Sequence, residues 1–190
     1  MDKKIIVVIP AKSHSNRLEN KNISKINDKT LIEHSIDYAK SSKYVEEIFV
    51  SSDSDLIKKI SLDNKVNYIE RPKNLLGEAE VADIYVDFVN KIECSKFDYL
   101  VGLQPDHPDR ENELDKLIEY SVKKNYMDLF TVNKDGTRNG SVRIIEIKYL
   151  LEGKMSRRVG SVMDALANGF GIILIVMLVH KYPKLFFIKP

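Results

Sequence analysis

Strand-like and helix-like segments alternate along the first 150 residues, and this alternation constrains the fold more than any other feature. Short apolar runs occupy positions 5–9, 47–51, 66–69, 99–103, 128–132 and 142–147. Segments with a helical apolar period lie between them, at 30–41, 55–62, 78–92 and 112–124. Strands that alternate with helices of this length predict an α/β domain, with helices layered on a mainly parallel sheet.

The composition limits which partners we expect and indicates the cellular compartment. With 190 residues and a net charge of +2, the chain is long enough for a sizeable core and too weakly basic for a nucleic-acid footprint, so we expect no nucleic-acid partner. The single cysteine, Cys94, excludes an intrachain disulfide. Residues 1–4 lead straight into the first strand without a signal peptide, and we therefore expect a cytoplasmic protein.

A polar loop at 9–22 follows the first predicted strand. It carries three cations and two small hydroxyl residues: Lys12, Arg17, Lys21, Ser13 and Ser15. Ligands of open α/β sheets bind outside the carboxyl ends of strands, and these side chains suit a polyphosphate. A charged, solvated connector is the other interpretation, because the spacing is that of neither a P-loop nor a dinucleotide-binding loop.

A second polar loop, at 103–110, follows the fourth predicted strand. Two prolines stiffen it, so that Gln104, Asp106, His107 and Arg110 could face one ligand. Alternatively it is a plain connector in which Asp109 or Asn112 caps the next helix. Metal binding by His107 with Asp106 is a third idea, although no second histidine lies near in sequence.

Three shorter segments have structural interpretations beside functional ones. Residues 50–55 predict a helix cap, with Ser54 as the capping residue. Arg71 is either a surface arginine or a hydrogen-bond donor to a base carbonyl. Residues 138–141 contain an Asn-Gly pair, which predicts a tight turn at the start of the sixth strand.

Together these segments resemble the acylneuraminate cytidylyltransferase family, which comprises the CMP-sialic acid and CMP-Kdo synthetases. The first loop is similar to the family's opening motif at Pro10, Ala11, Ser15, Arg17, Asn20, Lys21 and Asn22, with Lys12 in the place of an arginine. Further similar segments follow in the family's order: 29–32, 50–53, Arg71-Pro72, Leu103-Gln104-Pro105 with Pro108 and Arg110, and 139–142.

The resemblance implies a fold and a reaction. The fold would be a three-layer α/β/α, Rossmann-like domain of the nucleotide-diphospho-sugar transferase type, with a mainly parallel mixed sheet. The anomeric hydroxyl of a nonulosonic acid would attack the α-phosphorus of CTP and release pyrophosphate, with Mg²⁺ as the cofactor. Such a step depends on in-line placement and on cations near the developing charge.

The resemblance also implies roles for residues. The nucleotide-binding set would be Ala11, Lys12, Ser15, Arg17, Lys21, Asn22 and Arg71. Within it, Lys12 and Lys21 would contact the triphosphate and be catalytic, while Asn22 and Arg71 would read the cytosine. The sugar-binding set would be Gln104, Asp106, His107 and Asn139. Arg110 would brace its loop.

The chain departs from the family pattern in its loops. Ser13-His14 stands in place of two glycines, so that the loop path or the nucleotide fit differs. Asp106-His107 stands in place of Thr-Ser and suggests a sugar acid other than common sialic acid; His107 could deprotonate the attacking hydroxyl or bind the sugar carboxylate. Few residues separate 132 from 138, where relatives carry a dimer-forming insertion, so a homodimer stays open but not by that route.

The end of the chain departs most. Asp164 is the last carboxylate and the candidate metal ligand, and residues 165–179 form an uncharged run of 15 residues. This run is shorter than the ~20 residues that usually cross a bilayer, so no stable membrane span is expected. We expect a nucleotidyltransferase domain at 1–164 and an atypical apolar tail at 165–190. The tail is a buried segment that completes the core, a membrane-associating segment, or the product of a changed reading frame.

Two functional alternatives remain at this point. A nucleotidyltransferase could act on a sugar 1-phosphate with CTP or GTP, and its acceptor pocket would then favour additional cations. A C-terminally damaged homologue could instead bind nucleotide without turnover.

Overall fold

A computed structural model describes residues 1–13, 20–76, 79–110, 112–133, 135–153 and 185–188. The strands are β1 (Ile5–Pro10), β2 (Lys25–Ile26), β3 (Lys29–Thr30), β4 (Val45–Ser52), β5 (Asn67–Glu70), β6 (Tyr99–Gly102), β7 (Asp128–Val132), β8 (Arg138–Glu146) and β9 (Leu185–Ile188). The helices are α1 (Leu31–Lys40), α2 (Asp55–Asp63), α3 (Val81–Lys91), α4 (Leu114–Lys123) and α5 (Ile147–Leu151). The predicted boundary at Asp164 lies outside the described residues.

Seven of these strands form one mixed sheet. Their order is β5-β4-β1-β6-β8-β7-β9, and β2 pairs with β3 in a separate hairpin. The pairs β5–β4, β4–β1 and β1–β6 are parallel, whereas β8 is antiparallel to both β6 and β7, and β9 is antiparallel to β7. Five strands therefore share one direction, and the predicted mainly parallel mixed sheet is confirmed.

Strand β1 is apolar at every position, so both of its faces must be shielded from water. Helices cover both faces of the sheet. All six residues of β1 are buried. Ile5, Val7 and Ile9 pack into the core beneath α1, α2 and α4, which contribute Ile36, Ile57 and Ile118 among others. Ile6 and Val8 pack into the core on the other face, with Phe88 of α3 and Leu150 of α5 among others. Since successive side chains of a strand point to opposite faces, this burial produces the predicted three layers.

Side-chain caps begin two of the helices. Thr30 and Glu33 form a reciprocal capping box at the start of α1. Ser54 Oγ accepts a hydrogen bond from Ile57 N at 3.4 Å, so the predicted cap of α2 is confirmed. The capping role proposed for Asp109 or Asn112 is wrong, because α4 begins after Glu113 and has no side-chain cap hydrogen bond.

The segment around Asn139-Gly140 does not form the predicted turn. Both residues lie inside β8, and Gly140 has φ of +72° beside an irregularity in the β7–β8 pairing. The chain reverses earlier, where Asn133 N donates to Thr137 O at 2.8 Å and Gly136 has φ of +85°. Asn-Gly supplied the left-handed residue of a bulge rather than of a hairpin turn.

The sheet topology places several loops at one edge. Pro10 is level with Ser51, Ser52 with Glu70, and Val8 with Gly102, so four parallel strands end together. Because β8 runs the opposite way, its first residues reach the same edge. Among the described helices, none is both long and apolar enough to cross a membrane.

Candidate active site

Backbone hydrogen bonds continue past the strand ends and fix the start of each loop at this edge. Ala11 N donates to Ser51 O at 2.9 Å, and Leu103 N donates to Val8 O at 3.1 Å. On the other side of β4, Arg71 N donates to Ser52 O at 2.8 Å. The first residues of the loops after β1, β5 and β6 are thereby held in register with the sheet.

The loop after β1 is tied at its two described ends. Ala11 is fully buried, and Lys12 is half-buried at the end of the first described segment. Asn22 Nδ2 donates to Lys12 O at 2.8 Å, which links the start of the loop to the 3₁₀ turn at Lys21–Ile23. The predicted nucleotide-binding residues Ser15 and Arg17 lie outside the described residues. Asn22 holds the loop together here, and its predicted role with cytosine is untested.

Lys21 contacts the second predicted loop. Its Nζ lies 2.7 Å from Asp106 Oδ2, and the two side chains are 36% and 31% exposed. Burial raises the pKa of Asp106, but the hydrogen bond from Lys21 and the charges of His107 and Lys21 outweigh it and hold the pKa below its usual value. His107 Nε2 lies 3.7 Å from Asp106 Oδ1, too far for a hydrogen bond. A predicted phosphate residue and two predicted sugar residues thus lie together.

Arg71 is buried rather than a surface arginine. It is 5% exposed, and its NH2 group donates to Ser51 O at 2.9 Å. Its Nε has no hydrogen-bond partner within the described part of the chain. Burial lowers the pKa of Arg71, although the nearby Asp53 acts in the other direction. A buried donor without a partner is costly unless a ligand or water satisfies it, so Arg71 fits a role in binding.

Arg110 braces the loop after β6. Its guanidinium donates to backbone oxygens of Gln104 and His107 at 2.6 Å each, to Ser141 O at 3.1 Å and to Ser35 Oγ at 3.2 Å. Burial lowers the pKa of Arg110 to about 10, so the side chain stays charged at neutral pH. The contacts confirm the predicted bracing role, because one cation satisfies several carbonyls of the polar loop.

Gln104 lies against the beginning of β8. A Cβ built on Gly140 would come 2.2 Å from Gln104 Nε2, so a side chain at this position would displace the amide. Asn139 Oδ1 accepts hydrogen bonds from Thr131 Oγ1 at 2.5 Å and from Ser141 N at 3.0 Å. Asn139 therefore stabilises the β8 bulge beside Gln104, and both residues lie at the carboxyl edge where the sugar site was predicted.

Asp53 belongs to this edge, although its segment was predicted to cap a helix and its resemblance to a family segment carried no assigned role. It follows β4, the strand beside β1. Its carboxylate accepts hydrogen bonds from Ser13 N at 2.8 Å and from Ser13 Oγ at 2.5 Å. Burial raises the pKa of Asp53, but these two hydrogen bonds and other contacts outweigh it and lower the pKa, so the carboxylate stays ionised at neutral pH. The useful signal in the sequence was its position at the end of a predicted strand.

The candidate metal ligand Asp164 lies outside the described residues. Within those residues, no group of three or more acidic, histidine or cysteine side chains could hold a metal ion. Mg²⁺ is often held by one or two carboxylates together with substrate phosphates and water. The carboxylate of Asp106 lies at the carboxyl edge, but it is already paired with Lys21.

A cavity lies at the opposite edge of the sheet, where the parallel strands begin. Its volume is about 320 Å³, and Ala39, Lys40, Glu47, Lys65 and Val66 are among its lining residues. None of the predicted site residues lines it. We assign the site to the carboxyl edge because the convergent polar groups are there, as is usual for open α/β sheets.

Known proteins share both the sequence pattern and the fold. Residues 6–145 match the cytidylyltransferase family. The chain is 30% identical over 148 residues to N-acylneuraminate cytidylyltransferase of Streptococcus agalactiae serotype V, covering 70% of this chain and 35% of that protein. It is 32% identical over 114 residues to CMP-N,N'-diacetyllegionaminic acid synthase of Legionella pneumophila, covering 60% of this chain and 49% of that protein.

Solved structures agree on the fold. CMP:2-keto-3-deoxy-manno-octonic acid synthetase complexed with CTP superposes with a TM-score of 0.65 at 17% identity, over 87% of this chain and 83% of that chain. A cytidylyltransferase from Leptospira borgpetersenii superposes with a TM-score of 0.59 at 20% identity, over 83% of this chain and 66% of that chain. The chain spans about a third of the length of the N-acylneuraminate cytidylyltransferases that it matches. With the family matched over most of its α/β domain, this chain belongs to the cytidylyltransferase family.

Proposed function

We propose that this chain transfers CMP from CTP to the anomeric hydroxyl of a sialic-acid-like nonulosonic acid and releases pyrophosphate. The observation that carries the proposal is the contact between the two predicted loops, in which Lys21 and Asp106 approach to 2.7 Å at the carboxyl edge. The names of the matched relatives, N-acylneuraminate cytidylyltransferase and CMP-N,N'-diacetyllegionaminic acid synthase, support the choice of acceptor. The lone cysteine fits a cytoplasmic setting.

The nucleotide half of the site would be the loop after β1 together with Arg71. Lys12 and Lys21 would neutralise the triphosphate, with help from Ser15, Arg17 and the backbone at Ala11. In this role Lys21 stabilises the charge that develops on the departing pyrophosphate. Arg71 Nε, buried and without a described partner, would donate to the cytosine, beside Asn22.

The acceptor half would be the loop after β6 together with the beginning of β8. Gln104, Asp106, His107 and Asn139 would bind the sugar acid. Its anomeric oxygen forms a bond to the α-phosphorus while the bond from that phosphorus to the β-phosphate oxygen breaks. The hydroxyl proton passes to a base, for which His107 is our candidate, since its side chain is 26% exposed and lies beside Asp106.

Mg²⁺ is the proposed cofactor, and Asp164 would hold it together with substrate phosphates and water. When bound, the ion would neutralise charge on the phosphate oxygens.

Pyrophosphate release tests the proposed reaction. The purified chain should release pyrophosphate from CTP when Mg²⁺ and a nonulosonic acid are present, and each of the other three nucleoside triphosphates should be a poorer donor. The acceptor panel should include sialic acid, a diacetylated relative, Kdo and several sugar 1-phosphates. Strict dependence on a sugar 1-phosphate would overturn the acceptor assignment. Binding of CTP without pyrophosphate release, at ample Mg²⁺ and with every acceptor, would show that the chain is a binding protein only.

Gln104→Ala should impair use of the sugar acid and spare CTP binding. The amide lies against the β8 backbone on the acceptor side, so its loss removes a hydrogen-bonding group from that half alone. We expect KM for the sugar acid to rise about tenfold, the equivalent of one hydrogen bond of ~1.4 kcal/mol. Steady-state kinetics with each substrate varied in turn measures the effect.

Asn67→Ala serves as the control for that variant, because Asn67 is an exposed amide residue at the start of β5, away from the carboxyl edge. It should leave both KM values unchanged. A selective loss of CTP affinity in Gln104→Ala would contradict the placement of Gln104 in the acceptor half.

A further inference from the structure

Ser13 and Asp53 form a contact that the proposed chemistry does not use. Both donors of Ser13, its backbone N–H and its hydroxyl, point at the two carboxylate oxygens of Asp53, at 2.8 and 2.5 Å. We expected the Ser13 hydroxyl to suit a phosphate, but its donors are directed at the protein instead. Hydrogen bonds to an ionised acceptor are about twice as strong as neutral ones, and this pair acts on a single residue of the loop.

Helix capping does not account for Asp53. The side chain that caps α2 belongs to Ser54, and Ser54 N in turn donates to Ser52 Oγ at 3.2 Å. Asp53 itself contacts a residue 40 positions earlier in the chain. The carboxylate therefore connects two loops rather than ending a helix.

Asp53 also lies beside the other half of the proposed nucleotide site. Its charge acts favourably on Arg71, which is buried and donates to Ser51 O, two residues before Asp53. One carboxylate thus anchors the residue after Lys12 and offsets the charge of the arginine proposed to bind the base. Both carboxylate oxygens of Asp53 already accept hydrogen bonds from Ser13. We therefore expect Asp53 to act by holding Ser13 and Arg71 in place.

We propose that Asp53 is a positioning residue for the nucleotide, which anchors Ser13 so that Lys12 is presented to the triphosphate and which offsets the charge of Arg71. The inference rests on the proposed function. One of the two hydrogen bonds to Asp53 comes from the Ser13 hydroxyl and the other from the Ser13 N–H. A variant without the hydroxyl therefore loses the first bond and keeps the second. The geometry predicts that the two residues act as a unit.

The experiment compares Asp53→Ala, Asp53→Asn, Ser13→Ala and the double variant Asp53→Ala with Ser13→Ala. Asp53→Ala should raise KM for CTP about tenfold or more and change kcat at saturating CTP by less than about threefold. Asp53→Asn, which keeps one acceptor oxygen, and Ser13→Ala should each have a smaller effect. The double variant should be no worse than Asp53→Ala alone, because the hydroxyl has no role once its acceptor is gone.

A second measurement needs no nucleotide. The amide hydrogen of Ser13 should exchange with solvent at least about tenfold faster in Asp53→Ala than in the parent, because its acceptor is gone. Asp55→Ala is the matched control, since Asp55 is an exposed acid two residues away in the first turn of α2. It should change neither the exchange rate nor KM for CTP.

The outcomes separate this inference from the proposed function. Unchanged exchange at Ser13, additive effects in the double variant, or unchanged KM in Asp53→Ala would each overturn the positioning role. If the parent protein binds no CTP while Asp53→Ala still speeds the exchange of Ser13, the proposed function fails and the anchoring of Ser13 by Asp53 stands.

Discussion

Lys21→Ala is expected to lower kcat by about 10²- to 10³-fold, the usual effect of removing one strong transition-state contact. Lys21 is the described cation that lies between the two loops, with its Nζ 2.7 Å from Asp106. In the proposed reaction it stabilises charge on the departing pyrophosphate, which is greater in the transition state than in bound CTP. The loss should therefore fall mainly on kcat, and single-turnover rates with saturating CTP and sugar acid measure it.

Two controls distinguish this effect from damage to the fold. Lys25→Ala removes an exposed lysine of β2 close in sequence and should leave kcat unchanged. The thermal midpoint of Lys21→Ala should stay near that of the parent, because partly exposed ion pairs contribute only about 0–1 kcal/mol to stability. Full activity in Lys21→Ala would refute the assignment of the first loop to phosphate binding.

Asp128→Ala is expected to lower the free energy of unfolding by about 3–5 kcal/mol. Asp128 is fully buried in β7 and accepts hydrogen bonds from Arg143 Nε at 2.8 Å and NH2 at 2.5 Å. Burial acts to lower the pKa of Arg143, but Asp128 more than offsets it and leaves the pKa raised. Without Asp128, this guanidinium would remain charged and buried with its main partner gone. Urea denaturation of the purified variants measures the loss.

The double variant Asp128→Ala with Arg143→Met should recover part of that stability, because it no longer buries a charged guanidinium without its partner. Asp63→Ala, at the exposed end of α2, is the surface control and should change the free energy of unfolding by less than about 0.5 kcal/mol. A loss below about 1 kcal/mol in Asp128→Ala would contradict the stabilising role of the pair.

Local patterns predicted most of the fold. The apolar run of β1 and the capping residue Ser54 are signals contained within a few neighbouring residues, and the structure confirms them. The hairpin of β2 and β3 was missed because each strand has two residues, too few to show a period. The early start of β8 was missed because the Asn-Gly pair was interpreted without its partner strand, β7.

The sequence predicted the two loops of the site, but it did not predict which of their residues contact each other. Lys21 and Asp106 are 85 residues apart, and Ser13 and Asp53 are 40 apart. No local pattern links such residues, because the order of the strands in the sheet brings them together. Sequence similarity to a family predicted a phosphate role for Lys21 and a sugar-binding role for Asp106, but it did not predict the contact between the two side chains.

The burial of β1 on both faces has a consequence for how such a chain can diverge. A side chain in this strand must match the volume available in one of two separate cores, so substitutions there are tightly limited. Lys12 and Ser13, the described residues that follow Ala11, are half-buried and belong to neither core. Variation in nucleotide or acceptor preference should therefore accumulate beyond Ala11, while the preceding six positions drift only among apolar residues of similar size.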